Sequence, residues 1–163
     1  MTPVTLGPES ATLRVLTKRQ GVAAKVGHDL VIEVASWSAT LTPGSEPTFE
    51  LEADGGSMQI VDGSGGAKPL TDGDRQKIKK NIDDDILRGG KIRFQTTGAG
   101  QGDLEINGTT HPAPFDLHLH DDGTVHGSAR IKQTEWGIKP YSGLMGALKV
   151  ADEIEIAVEG RLP

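Results

Sequence analysis

The 163-residue chain contains no cysteine, which excludes disulfides, cysteine-based zinc sites and thiol nucleophiles. Aromatic residues make up only 4% of it, as three Phe, two Trp and one Tyr, so a core built here has few large side chains to fill it. No window approaches the apolar run that a membrane-spanning helix requires. Positive charge is scarce as well: 17 Lys and Arg stand against 23 Asp and Glu, for a formal net charge of −6. Polyanion binding needs a basic face, and the basic cluster Arg75 to Lys80 runs directly into Asp83 to Asp85. Nucleic acid is therefore not an expected partner. The opening MTPVTLGPESATLRV lacks the basic start and apolar stretch of a secretory leader. The sequence as written is expected in the cytoplasm, or in the periplasm or outside the cell if a leader has been removed.

Glycine is plentiful, at 22 residues, and it is spread among short alternating runs. Alternation over four to eight residues marks half-buried strands. TLRVLTK places Leu13, Val15 and Thr17 on one face, and DLVIEV places Leu30, Ile32 and Val34 together. The phase then shifts to Trp37, Ala39 and Leu41, as a β-bulge inside one long strand would produce. TFELEA aligns Phe49, Leu51 and Ala53, and KIRFQTT aligns Ile92, Phe94 and Thr96. One segment breaks this rhythm: Ile78, Ile82 and Ile86 recur at helical spacing, which predicts an amphipathic helix lying on a sheet. Thr71 or Asp72 caps its start and Gly89 ends it.

Asn107-Gly108 is a two-residue hairpin signal. It pairs Ile106 with Thr109 and Leu104 with His111, so His111 is expected to face inward with Ala113, Phe115, Leu117 and Leu119. Asp121-Asp122-Gly123 supplies the next turn and carries the same face into Val125, Gly127, Ala129 and Ile131. The closing strand adds Ile154, Ile156 and Val158. About eight one-sided strands and one helix predict an all-β fold in one domain over residues 1–163, an antiparallel eight-stranded barrel with the helix packed on it, or else a sandwich. Small inward residues leave space, and a cavity without polar groups suits an apolar ligand.

The segments GDLEINGTTHPAPFDL, QTEWGI and DEIEIAVEG, with GVAAKVGHDLVIEVASWSATL and the helix followed by KIRF in the same order, resemble the YceI-like family of lipocalin-like polyisoprenoid and lipid binders. The resemblance implies an extended antiparallel barrel holding an isoprenoid or fatty-acyl chain as its ligand, with no other cofactor and no catalysis. Alternation and the resemblance together give the expected wall: Leu13, Val15, Leu30, Ile32, Phe49, Leu51, Phe94, Phe115, Leu117, Leu119, Ile154 and Ile156, with Trp136 beside it. The expected partner is an isoprenoid or other long-chain lipid, and a homodimer is left open.

Four polar groups of residues compete for a role. His28 and Asp29 are adjacent, so on a strand they point to opposite faces and form no acid–base dyad. A turn using Gly27 explains them, with His28 alternatively at the mouth of the cavity. His111 and Tyr141 are the other candidates for contact with a ligand head group. His118 lies opposite His126 with His120 diagonal, a geometry open to zinc or nickel and the basis of an alternative reading as a metal-binding protein or metal-dependent enzyme. Those histidines share the face away from Leu117 and Leu119, where nothing excludes water. Trp136, Ile138, Tyr141, Leu144, Met145 and Leu148 form either a core-covering loop or a flap at a ligand entrance. Ser142 lacks the setting of a nucleophile elbow. A filled barrel serving as a protein-interaction module is the third reading.

Overall fold

Each alternating run becomes strand because its apolar residues share one face, and the runs are divided where the chain turns a corner. The computed structural model describes residues 2–21, 28–65, 69–88, 90–143 and 148–162. In chain order the first strands are β1 (Val4–Leu6), β2 (Ala11–Leu16), β3 (Arg19–Gln20), β4 (Asp29–Val34), β5 (Trp37–Thr42), β6 (Thr48–Asp54) and β7 (Met58–Ser64). Helix α1 (Asp72–Asn81) follows, then β8 (Lys91–Gly98), β9 (Gln101–Ile106), β10 (Thr109–Pro114), β11 (Asp116–Leu119) and β12 (Thr124–Lys132). The chain closes with β13 (Ser142–Gly143), β14 (Leu148–Val150) and β15 (Glu153–Arg161). Gly27, Gly89, Leu144 and Met145, to which the sequence assigned turn, cap and flap roles, lie outside the described residues.

Two antiparallel six-stranded sheets carry the core, in the orders β1-β5-β6-β8-β9-β10 and β11-β12-β15-β2-β4-β7. A small third sheet joins β13, β14 and β3. The fold is thus all-β with one α-helix, but the single closed eight-stranded wall expected from the alternation is not what forms. The reason lies at the corners. Four long runs, β1–β2, β4–β5, β6–β7 and β10–β11, each leave one sheet and continue in the other, as strands do in orthogonally packed sheets. The phase shift before Trp37 marks one of these crossings, at Ala35 and Ser36, rather than a bulge within a strand. There the Ala35 N–H donates to the Ser57 carbonyl at 3.1 Å, and the Asp54 N–H to the Ser36 carbonyl at 3.0 Å. The corners of β4–β5 and β6–β7 therefore satisfy each other's backbone.

The hairpin registers follow the turn chemistry. Asn107 and Gly108 both take positive φ, at 54° and 78°, as a type I′ turn demands, and Leu104 lies opposite His111. Gly123 takes a φ of 90°, and His118 lies opposite His126.

Helix α1 begins in a capping box. The Thr71 hydroxyl accepts from the Asp74 N–H and the Asp74 carboxylate accepts from the Thr71 N–H, each at 3.1 Å. These bonds hold the Asp74 carboxyl below its ordinary value of 3.8. After Asn81 the helix loosens into a π-helical turn, Ile82–Ile86, in which the Leu87 N–H reaches the Ile82 carbonyl at 2.8 Å. Both Ile82 and Leu87 are buried in the core, and the regular isoleucine spacing announces the first but not the second. The basic face is not wholly solvated either: Lys79 Nζ donates to the carbonyls of Gly56 and Met58, at 3.1 and 2.9 Å, pinning α1 to the β6–β7 corner.

Thr71→Ala is expected to cost about 1 kcal/mol of stability, measured by urea unfolding at neutral pH. The Asp74 contribution has a definite sign, because its carboxyl titrates lower in the folded chain. Asp74→Ala should lower stability fully at pH values above the ordinary aspartate range. The difference from the native protein should vanish as pH falls through the depressed value.

Candidate apolar cavity

The inner faces of the two large sheets do not close completely. One sheet contributes Phe49, Leu51, Ala53, Ile92, Phe94, Leu104 and Ala113, and the other Leu13, Val15, Val34, Met58, Leu117, Val125, Gly127, Ala129, Ile156 and Val158. Phe115, at the β10–β11 corner, lies between them. They surround a cavity of about 90 Å³, and among the described residues Ser128 is its one lining residue with a polar side chain. Several inward apolar residues, among them Val15, Leu51, Phe94, Leu117 and Ile156, remain only partly buried, as expected of a lining that lacks neighbours on one side. A space of this kind is dry and takes hydrocarbon in preference to water.

The three phenylalanines of the chain stand in a row through this space. Phe94 and Phe115 meet edge to face with ring centroids 5.3 Å apart, and Phe49 and Phe94 lie 6.3 Å apart at a tilt. Phe94 is seated against bare backbone: a Cβ on Gly102 would lie 2.3 Å from its Cζ.

Of the residues expected in the wall, Leu13, Val15, Phe49, Leu51, Phe94, Phe115, Leu117 and Ile156 border the cavity. Leu30, Ile32, Leu119, Ile154 and Trp136 do not. Ile32 pairs with Val15 and Ile60, Ile154 with Ile131, and Leu119 with Val125, all neighbours within one sheet. Trp136 sits in a 3₁₀ turn after β12, is 2% exposed, and donates from Nε1 to the Leu104 carbonyl at 2.8 Å. The alternation located the face of Leu104, Val125, Gly127 and Ala129 but not the point along each strand where space is left.

The family model for the YceI-like domain matches residues 71–162, more than half of the chain. The chain belongs to the YceI-like domain family. No curated protein sequence matches it. Among solved structures, this YceI-like chain is similar to Burkholderia cenocepacia BcnA, with a TM-score of 0.62 and 14% identity, over 91% of this chain and 94% of that one. It is also similar to a polyisoprenoid-binding domain from Saccharophagus degradans implicated in plant cell wall breakdown, with a TM-score of 0.53 and 6% identity, over 99% and 98% of the two chains. At these identities the likeness is one of fold.

The polar candidates of the YceI-like chain fall outside the cavity. His111 shares the face of Leu104, but on edge strand β10 it remains exposed, rests edge-on against Trp136 with ring centroids 5.6 Å apart, and does not border the cavity. Tyr141 is 45% exposed and does not border the cavity. His28 lies beside Gly63, and its neighbour Asp29 accepts from the Arg19 N–H at 2.9 Å and pairs with Lys18 at 3.7 Å. Asp29 thus ties β3 to β4. The metal alternative loses its geometry as well: among the described residues no group of three His, Asp or Glu is placed to hold a metal ion. His118 and His126 are opposite, but His126 turns to Glu159 at 3.5 Å and the His120 backbone is drawn into the 121–124 turn. Among the described residues no helix is long and apolar enough to cross a membrane.

Proposed function

We propose that this protein binds and carries or sequesters an apolar chain, a polyisoprenoid or a fatty-acyl lipid, between its two sheets, without catalysing a reaction. The observation that carries this reading is the dry cavity, bordered by both inner faces with a single hydroxyl-bearing side chain. The fold shared with a polyisoprenoid-binding domain supports it. Binding draws on burial of methylenes at ~0.8 kcal/mol each, against a cost of association of ~4 kcal/mol or more. Micromolar affinity, about 8 kcal/mol, therefore needs on the order of fifteen buried methylenes. At about 90 Å³ the cavity is smaller than the ~150 Å³ that admits benzene elsewhere, so loading requires inner side chains to move aside.

Native mass spectrometry of gently purified protein is expected to show an adduct that organic extraction removes. A fluorescent apolar probe should bind and be displaced by long-chain alcohols. Phe115→Arg, which sets a charge at the cavity, should abolish probe binding while the circular dichroism spectrum persists. No adduct and no probe binding, with Phe115→Arg indistinguishable from the native protein, would overturn the reading.

A further inference from the structure

We infer that Phe94 and Phe115 form a plug that sets the length of the chain the cavity accepts; this rests on the carrier reading above. Phe115 is at the β10–β11 corner, where its N–H donates to the Gly100 carbonyl at 3.1 Å. That bond fixes its backbone while its ring stays only partly buried. Phe94 contacts Phe115 edge to face and leads toward Phe49, which is 7% exposed. The row thus runs from the outer margin of the cavity to its depth.

Two features distinguish this part of the row from Phe49. Phe94 and Phe115 are both only partly buried although they face inward, whereas Phe49 is buried. Phe94 also rests on a bare glycine in addition to its ring contacts with Phe49 and Phe115. Any side chain at Gly102 would overlap the Phe94 ring. Rotating the Phe94 ring off this seat breaks no hydrogen bond, so an entering chain can displace it and the Phe115 ring it touches.

Titration calorimetry of the full chain with decanol and with hexadecanol tests this, on the native protein, Phe94→Ala and Phe115→Ala. The ratio of hexadecanol to decanol affinity is expected to rise about tenfold in either variant, the effect of roughly two further buried methylenes. An unchanged ratio, with decanol bound by all three proteins, overturns the plug and leaves the carrier reading standing. Binding by the variants but not by the native protein supports the plug and overturns native carriage. Absence of binding in all three overturns both. Should an alanine variant lose its fold by circular dichroism, Phe94→Leu and Phe115→Leu are read by the same ratio.

Discussion

Gly127→Leu is expected to weaken uptake of an apolar chain on the order of a hundredfold while the fold persists. Gly127 lies on the inner face of β12, opposite Leu117 and Val158. A Cβ there would meet Leu117 Cδ1 at 3.5 Å, an ordinary contact, and the backbone is not among the positive-φ glycines. The leucine therefore enters the cavity rather than the surrounding wall. Displacing about four ligand methylenes removes ~3 kcal/mol of binding. Filling the space should leave the melting temperature unchanged or raise it. Probe displacement and thermal unfolding measure the two effects. Unchanged affinity in this variant would mean that the ligand binds elsewhere.

Trp136→Ala should show the opposite signature. Trp136 is among the largest fully buried side chains of the protein, and its loss leaves a void and removes the hydrogen bond to the Leu104 carbonyl. A cost of about 4 kcal/mol follows from truncation of a buried aromatic residue, seen as a lower urea midpoint. Because Trp136 stands off the cavity, the affinity of the molecules that remain folded should change little. The two variants together separate residues that shape the hollow from residues that hold the sheets in place.

Much of this architecture is legible in the sequence where local chemistry decides the backbone. Asn107-Gly108 and Gly123 require positive φ, and those turns fix the pairing of Leu104 with His111 and of His118 with His126. Thr71, one of the two caps the sequence offers with Asp72, starts α1, whereas the partnership of Asp74 in the capping box shows only in the structure. Corners are harder to read, because a run that alternates through Val34 and resumes at Trp37 looks the same whether it bulges within a sheet or passes into another. The π-helical turn after Asn81 is likewise invisible to helical spacing. His111 shows the limit of alternation: it shares a face with Leu104, yet at a sheet edge that face meets solvent. Where the cavity lies depends on which inner positions find a partner across the core, and this is settled by both sheets at once. Ile32 and Ile156 read alike in sequence, but only Ile156 borders the open space.

On the carrier reading proposed above, the four runs that pass from one sheet into the other constrain how a chain would enter. Layers stitched together by continuous backbone do not part like the covers of a book, since separating them would tear ladder hydrogen bonds at several corners together. Room for a guest must come from pivoting rings within the hollow or from loosening the short terminal strand β11, which is held along one side alone. Exchange of cargo should then be slow relative to side-chain motion and sensitive to whatever stiffens that seam.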